Sequence, residues 1–189
     1  MQNKSDEYYI SKVLAGETAA FAVLVDRYKT LAYNISLRIV KQPEDAEEIT
    51  QDSFIKAYRS LRGFKGTSKF STWLYRIVYN SSITHIRKKQ REMPVDSESR
   101  EMKNHSGLID DDGSQNDEFL ASALKKAVDS LPADEQTMIT LYYYENSRVE
   151  EIAKVMALSV SNVKVRLYRT RKKLHDQILF FTNNEIAVN

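Results

Sequence analysis

Apolar residues recur at intervals of three and four along almost the whole chain, the spacing that places them on one face of an α-helix. Stretches of strict apolar and polar alternation, which would predict strands, are absent from the sequence. The chain contains only five glycines and three prolines, so few positions interrupt a helix. The pattern therefore predicts an all-α fold.

Two long helices are predicted near the start of the chain. The first runs from about Thr18 to Val40 and carries its apolar residues on one side. The second runs from about Pro43 to Leu61, because proline is tolerated in a first helical turn and Asp45 with Glu48 resembles a capping pair. Its predicted buried face consists of Phe54, Ala57, Tyr58 and Leu61.

A third helix follows a loop that contains Gly63 and Gly66. Ser71 can cap this helix, which we expect to reach about Lys89. Its predicted inward face consists of Leu74, Ile77, Val78 and Ser81. Another side of the same helix carries Trp73, Arg76, Asn80, Thr84 and Arg87 at roughly helical spacing.

The helical pattern stops between Glu92 and Asn116, where serine, aspartate, glutamate and asparagine predominate. A segment of this composition buries too little apolar surface to fold, so we expect a flexible, acidic linker over 92–116. The linker separates two small helical domains, 1–91 and 117–189. Helices of the second domain are predicted near Asp117–Ser130, Pro132–Tyr144, Arg148–Met156 and Val160–Phe180.

The segment from Glu151 to Leu174 has the pattern of a helix-turn-helix. Apolar residues of its two helices would pack across the short turn Ala157-Leu158-Ser159, and Ser159 can cap the second helix. The packed residues would be Ile152, Met156, Val163 and Leu167. This packing leaves one outer face of the second helix for DNA.

The second helix of such a motif places its N-terminal residues in the major groove of DNA. Residues predicted to meet base edges there are Ser161, Asn162, Lys164 and Val165. Basic residues predicted to attract phosphates are Arg166, Arg169, Arg171, Lys172 and Lys173, of which Arg169 could also reach a base. The plainer alternative is a charged amphipathic helix docked on its neighbour. The spacing, the cap and the acid-free outer face together favour DNA binding.

A basic, aromatic stretch runs from Ser53 to Arg91, where 39 consecutive residues include ten basic side chains and no acidic one. Aromatic residues are interleaved with the cations: Phe64, Phe70, Trp73, Tyr75 and Tyr79. A flat ring can stack on a base that has left the duplex, while cations hold the backbone. The alternative is that about half of these rings belong to the core and the cations are only solvated, but it does not explain the exclusion of acids.

Three segments resemble those of the small, two-domain, extracytoplasmic-function (ECF) type of bacterial RNA polymerase sigma factor. Asp45–Tyr58 resembles the helix with which that family grips the polymerase clamp. Phe70–Asn80 resembles its promoter-melting segment, and Leu131-Pro132 followed by the helix-turn-helix resembles the opening of its C-terminal domain. The resemblance covers nearly the whole chain, and the order of the segments is more specific than any one of them.

The resemblance implies two kinds of DNA contact and one polymerase contact. The recognition helix would read the −35 element as duplex, which adds Tyr168 to the candidates above. The −10 element would be melted, and a base would be held between the loop Gly63–Phe70 and the following helix. Candidates for −10 binding are Lys65, Ser68, Phe70, Trp73, Arg76, Asn80, Thr84 and Arg87. Candidates for polymerase binding are Asp45, Glu48, Gln51, Asp52 and Lys56, although acids at a helix N-terminus also stabilise the helix itself.

Two positions depart from the pattern of that family. Ala157 stands in the helix-turn-helix turn where the family often has glycine, and Val165 stands where it often has serine. A valine at that place on the recognition helix favours an apolar contact, for example with a thymine methyl group. The preferred upstream sequence is therefore expected to differ from that of relatives with serine.

No catalytic, metal or cofactor site is predicted. The chain has no cysteine, which excludes disulfides and thiolate metal sites. His85, His105 and His175 lie far apart without ligand spacing, and no glycine-rich phosphate loop is present. The run Asp110–Asp112 is more simply a solvated acidic run than a metal site. We therefore expect a protein that is not an enzyme and needs no cofactor.

The sequence also bears on location. Its apolar runs are all shorter than a membrane-spanning helix needs, and the opening residues MQNKSDEYY are polar and of mixed charge. We expect no membrane insertion and a cytoplasmic location.

Together these features favour a sigma factor that binds core RNA polymerase and directs promoter-specific initiation. Core polymerase and promoter DNA are its expected partners, and the resemblance implies an anti-sigma factor as a further one. The alternative is a dimeric helix-turn-helix regulator with an N-terminal sensor domain, which leaves the basic, aromatic stretch unexplained. An enzyme acting on nucleic acid is a more distant third.

Overall fold

The computed structural model describes residues 4–92 and 115–186. Every regular element in these ranges is helical, which confirms the predicted all-α fold. The α-helices are α1 (Asp6–Leu14), α2 (Phe21–Val40), α3 (Pro43–Ser60), α4 (Phe70–Glu92), α5 (Gln115–Asp129), α6 (Ala133–Ile139), α7 (Val149–Met156) and α8 (Val160–Ile186). Short 3₁₀ turns lie at Thr18–Ala20 and Leu61–Gly63, and a π-helical turn lies at Thr140–Tyr144. Most of the predicted linker, 93–114, lies outside the described residues.

Helices α2, α3 and α4 pack against one another and form the core of the N-terminal half. Leu24 and Ile35 of α2 and Leu74 and Val78 of α4 are completely buried in it. Burial of each such side chain contributes about 1.5–3 kcal/mol of favourable transfer free energy. Helix α3 begins with Pro43 and carries two acids in its first turn, where they interact favourably with the positive end of the helix dipole.

The short helix α1 is absent from the predicted elements because nine residues give only a brief periodic signal. It is held on α2 by polar contacts to one carboxylate. Asp6 forms an ion pair with Arg27 at 2.7 Å and accepts a hydrogen bond from the hydroxyl of Tyr28. The N-terminal half therefore contains a fourth α-helix beyond the three that periodicity predicts.

Three details of the predicted helices are wrong. Ser71 does not cap the third helix, because α4 already begins at Phe70. Tyr58 is 40% exposed, since its ring lies at the margin of the core. The buried serine of α4 is Ser82 rather than Ser81, and its hydroxyl donates to the carbonyl of Val78 at 2.9 Å.

Helices α5 to α8 form the C-terminal half, in which α7 and α8 are the predicted helix-turn-helix. Its predicted packing residues Ile152, Met156, Val163 and Leu167 are all buried. Ala157 ends α7 in the left-handed backbone region, at φ 55°, and its N–H donates to the carbonyl of Ala153. The predicted helix 132–144 is divided instead into α6 and the π-helical turn.

The two halves are in contact, with α2 against α6 and α4 against α7. Gln136 of α6 is 1% exposed and connects both sides of this contact. Its Nε2 donates to the carbonyls of Asp129 and Leu131, at 3.0 and 2.7 Å. Its Oε1 accepts from Arg38 at 3.5 Å and from Lys41 at 3.3 Å. Burial lowers the pKa of both cations, because their charged forms lose water.

Candidate nucleic-acid interface

The outer face of α8 is built by a cap and two buried side chains. The Ser159 hydroxyl accepts a hydrogen bond from the backbone N–H of Asn162 at 3.2 Å, as the predicted cap requires. Val163 and Leu167 anchor the helix in the core. The opposite side chains are exposed to solvent: Ser161, Asn162, Lys164, Val165, Tyr168 and Arg169. Tyr168 is 70% exposed, which is unusual for a large ring without a partner surface.

Two of the predicted phosphate contacts on α8 are paired with acids of α6. Arg166 lies 3.7 Å from a carboxylate oxygen of Asp134, and Lys173 lies 2.7 Å from one of Glu135. These ion pairs partly neutralise two positive charges that the sequence predicts to attract DNA phosphates. The more fully exposed cations Lys164 and Arg169 take part in none of the ion pairs of the described ranges, so they present the stronger field to a phosphate.

The predicted −10 face of α4 is exposed along one line. Arg76, Asn80, Thr84 and Arg87 succeed one another at intervals of three and four residues, and all four are exposed. The Thr84 hydroxyl donates to the carbonyl of Asn80 at 2.8 Å, which leaves the Asn80 amide group unaffected. A polar, cationic surface of about three helical turns is therefore available to nucleic acid.

Phe64 of the loop before α4 forms a cluster of three aromatic rings with Phe70 and Trp73 of α4. The ring centre of Trp73 lies 5.1 Å from that of Phe64 and 5.8 Å from that of Phe70. Trp73 is half-buried, while Lys65 of the loop is exposed and Ser68 is half-buried. The packed rings fix the orientation of Trp73 and leave part of it open to solvent.

Phe70 is 2% exposed, so the prediction that it contacts DNA is wrong in this structure. Its ring belongs to the core and supports Trp73 from the inner side. Tyr75 and Tyr79 are also buried, at 1% and 9% exposure. The expectation that about half of the aromatic residues in this stretch serve the core describes them well.

The predicted polymerase-binding residues lie on α3 and differ in their surroundings. Asp45 accepts from Lys89 at 2.9 Å and lies 3.2 Å from His85. These α4 side chains lower the pKa of Asp45, Lys89 most strongly. The other candidates are exposed: Glu48, Gln51, Asp52 and Lys56. The exposed residues form a charged surface on the side of α3 away from the core.

Two further features of the described residues bear on other functions. Over 4–92 and 115–186, no group of three or more histidine or acidic side chains could hold a metal ion. None of the helices described is long and apolar enough to cross a membrane. Asp110–Asp112 and His105 lie outside the described residues.

Comparison with known proteins follows the same division into two halves. The model of Sigma-70 region 2 matches residues 24–92, and that of Sigma-70, region 4 matches residues 121–174. The chain is 35% identical over 184 residues to the ECF RNA polymerase sigma-E factor of Haemophilus influenzae, covering 92% of this chain and 95% of that protein. The chain belongs to the ECF family of RNA polymerase sigma factors.

Other relatives agree with this assignment. SigW of Bacillus subtilis is 33% identical over 176 residues, covering 89% of this chain and 94% of its own length. The fold is shared with sigma factor RpoE of Bartonella quintana, solved with the anti-sigma factor NepR, at a TM-score of 0.64 and 22% identity over 84% of this chain and 96% of that one. CnrH, solved with the cytosolic domain of CnrY, has a TM-score of 0.62 at 21% identity over 92% of this chain and 96% of that one.

The sigma factor directs core RNA polymerase to promoters. Region 2 comprises most of α2 with α3 and α4, and region 4 comprises α5 to the middle of α8. Sequence reasoning missed Gln136 and the tyrosines of the π-helical turn. A polar residue in an amphipathic helix and a run of tyrosines carry no signal that they meet cations distant in the chain.

Proposed function

We propose that α8 reads the −35 element in the major groove of closed duplex. The observation that supports this most directly is the exposure of the polar and cationic face of α8, while its opposite face is anchored in the helix-turn-helix core. Asn162, Lys164 and Arg169 are the proposed base contacts, and Val165 supplies an apolar one. Val165 is 48% exposed, so its methyl groups are open to a thymine methyl.

The −10 element is read after the strands separate. Trp73 provides a partly open ring on which an unpaired base can stack, and Arg76 with Asn80 lies one turn and two turns further along α4. Capture of an unstacked base offsets the cost of unpairing, which is on the order of a few kcal/mol. Lys65, Thr84 and Arg87 extend the same cationic surface, and Ser68 lines its loop side. Phe70 supports Trp73 rather than the base.

Core polymerase binds the exposed side of α3. Glu48, Gln51, Asp52 and Lys56 are the proposed contacts. Asp45 contributes in part by its ion pair with Lys89, which fixes α3 against α4. Glu48 and Asp52 are exposed to solvent. They would lose little hydration when they pair with basic polymerase residues at the rim of such an interface.

The predicted linker over 92–116 would let the two DNA readers reach separate promoter elements. Once one domain is bound, the other binds as an intramolecular event at raised effective concentration. We propose that the sigma factor acts in the cytoplasm without enzymatic activity of its own. One structural relative, RpoE of Bartonella quintana, is in complex with an anti-sigma factor, which supports an anti-sigma factor for this chain as well.

Reconstitution with core polymerase tests the proposal. Genomic fragments retained by the holoenzyme would supply the promoter, and transcription from it would be measured. Lys164→Gln and Arg169→Gln should each reduce −35 recognition at least about fivefold, as loss of a base contact does. Lys29→Gln is the matched control, because it removes an exposed cation of α2 by the same chemical change. Failure to bind core polymerase, together with dimeric binding to a palindromic duplex, would favour the regulator instead.

A further inference from the structure

The guanidinium of Arg171 lies beside the rings of two consecutive tyrosines that precede the helix-turn-helix. Its Cζ atom is 5.0 Å from the ring centre of Tyr142 and 5.7 Å from that of Tyr143. The two ring centres lie 5.0 Å apart with the planes at 77°, so they form two walls around the cation. Rings at these distances attract a guanidinium through the negative charge of their faces.

The backbone explains how two neighbours in sequence reach one cation. Thr140–Tyr144 forms a π-helical turn, closed by a hydrogen bond from the Glu145 N–H to the Thr140 carbonyl at 3.3 Å. Consecutive side chains of an α-helix point about 100° apart, and the wider π turn reduces that angle. Such turns are rare and often occur at functional positions. Tyr142 and Tyr143 thereby share the direction of Arg171.

Arg171 differs from other cations of α8 in what holds it. Arg166 pairs with Asp134, and Lys173 pairs with Glu135, so both charges are partly compensated. Among the ion pairs of the described ranges, none includes Arg171. The rings and their hydroxyls, which accept hydrogen bonds from the guanidinium, fix its direction without cancelling its charge, and this raises the pKa of Arg171. A guanidinium has five N–H donors, so those not taken up by the two hydroxyls face an anion.

The position of Arg171 on α8 indicates which anion this is. Lys164, Tyr168 and Arg171 follow one another at intervals of four and three residues and share one face of the helix. The three line a shallow cleft together with Tyr142, Val149 and Leu167. Arg171 is thus on the same face as Lys164, about two helical turns further along. DNA carries one phosphate charge per about 1.7 Å of axis, so a cation there meets the backbone beyond the bases being read.

We infer that Tyr142 and Tyr143 are positioning residues for promoter binding, holding Arg171 for contact with the phosphate backbone beside the −35 element. The inference rests on the proposed role of α8. A long side chain that is already held in its bound conformation loses less entropy when it binds. Since phosphates carry no sequence information, the gain applies to every duplex sequence.

Binding of the full-length sigma factor to two duplexes tests this role. One is a −35 duplex recovered with the wild-type holoenzyme, and the other is a random-sequence duplex of equal length. Tyr143→Leu and the double variant Tyr142→Leu/Tyr143→Leu should weaken binding to both by about two- to fivefold. The double variant Tyr142→Phe/Tyr143→Phe keeps both rings and removes the hydroxyl contacts with Arg171, so its affinity should lie between those of the wild type and the double leucine variant. Tyr144→Leu is the matched control, since this exposed tyrosine of the same turn is not one of the two beside Arg171.

A mutant cycle identifies the route of the effect. Arg171→Gln should reduce the slope of log affinity against log salt by about 0.9, the value for one lost phosphate contact. Adding Tyr143→Leu to Arg171→Gln should then cost no further affinity. If Tyr143→Leu weakens binding as much in the Arg171→Gln protein as in the wild type, the ring acts on DNA by itself and the inference is overturned. Unchanged affinity in Tyr143→Leu alone would also overturn it.

Two controls keep the outcomes separate. Tyr143 is 51% exposed, so its substitution should leave the folded state intact, and thermal unfolding of each variant verifies this. If Lys164→Gln leaves the preference for the −35 duplex unchanged, the proposed role of α8 fails. If Lys164→Gln abolishes that preference while Tyr143→Leu changes nothing, only the role of the tyrosines fails.

Discussion

The hydroxyl of Tyr79 donates a hydrogen bond of 3.0 Å to Asp134, and this bond joins the two halves of the sigma factor. Tyr79 belongs to α4 of the promoter-melting half, and Asp134 belongs to α6 next to the helix-turn-helix. The carboxylate also lies 3.7 Å from Arg166, one of the predicted DNA contacts. Burial and the neighbouring carboxylate both raise the pKa of Tyr79, which therefore stays protonated and able to donate.

Tyr79→Phe should shift the free protein toward separated halves. The change removes only the hydroxyl and leaves Asp134 partly buried without its donor, so the closed arrangement should lose about two- to tenfold in population. Energy transfer between dyes at Arg59→Cys and Asp176→Cys measures this, because the chain has no other cysteine. Tyr58→Phe is the matched control, since its exposed ring packs on Phe21 within the N-terminal half. Equal energy transfer in both variants would contradict the prediction.

The contact between the halves should also weaken as pH rises. Glu145 faces Tyr75, Lys69 and Glu151, and its pKa is raised, first by burial and further by Glu151. A carboxyl whose pKa is higher in the closed state favours that state below its ordinary pKa of 4.5, and the benefit is lost as pH rises through the raised value. The same energy-transfer pair, recorded over that range, should report progressive separation.

Glu145→Gln provides the control for this pH effect. The amide fills nearly the same volume and cannot ionise, so the variant should remain closed at higher pH and show a flatter profile. A profile as steep as that of the wild type would assign the dependence to another group.

Ala157→Gly should stabilise the C-terminal half. Ala157 adopts φ 55°, a conformation that costs a residue with a Cβ about 1–2 kcal/mol and costs glycine almost nothing. After the greater loss of backbone entropy by glycine, we expect a net gain of about 0.5–1 kcal/mol in the free energy of unfolding. Denaturant unfolding measures it. Ala121→Gly, at an exposed position within α5, should have the opposite sign by a similar amount.

Substitutions at Trp73 and Phe70 should affect different properties: promoter melting in the first case and the free energy of unfolding in the second. Trp73→Ala should reduce open-complex formation about tenfold, because base stacking on an aromatic ring contributes about 1–3 kcal/mol, and should leave polymerase binding intact. Permanganate reactivity of unpaired thymines measures the open complex. Unchanged melting in both Trp73→Ala and Asn80→Ala would refute the proposed −10 surface.

Phe70→Ala should instead reduce the free energy of unfolding by about 3–5 kcal/mol, as truncation of a buried ring does. Thermal unfolding of the free protein distinguishes the two residues. A stable Phe70→Ala protein that fails specifically at melting would restore the sequence-based prediction that Phe70 contacts the base.

The helix-turn-helix could be predicted nearly complete because its determinants are local. Apolar spacing specifies which faces of α7 and α8 meet, and Ser159 lies where its hydroxyl must satisfy a free N–H. The exposed face of α8 follows once those residues are buried. The same holds for the line from Arg76 to Arg87 on α4, which helical periodicity alone defines.

Aromatic residues show where periodicity reaches its limit. Phe70 and Trp73 are three residues apart and belong to one helix, yet one is buried and the other is partly open. Which of them faces solvent depends on how α2 and the preceding loop pack on α4. The sequence shows which residues are aromatic or charged, but it carries no information on these distant surfaces.

Sequence by itself determined the helical class, the helix-turn-helix and the resemblance to ECF sigma factors, since each depends on spacing within a few turns of chain. Only the tertiary structure decided that Gln136 meets Arg38 and Lys41, and that Arg171 lies beside Tyr142. These partners are separated by many residues, and contacts of that kind form only when whole helices pack. Local spacing determines on which face of a helix a side chain lies, but only the packing of the helices determines which residues that face contacts.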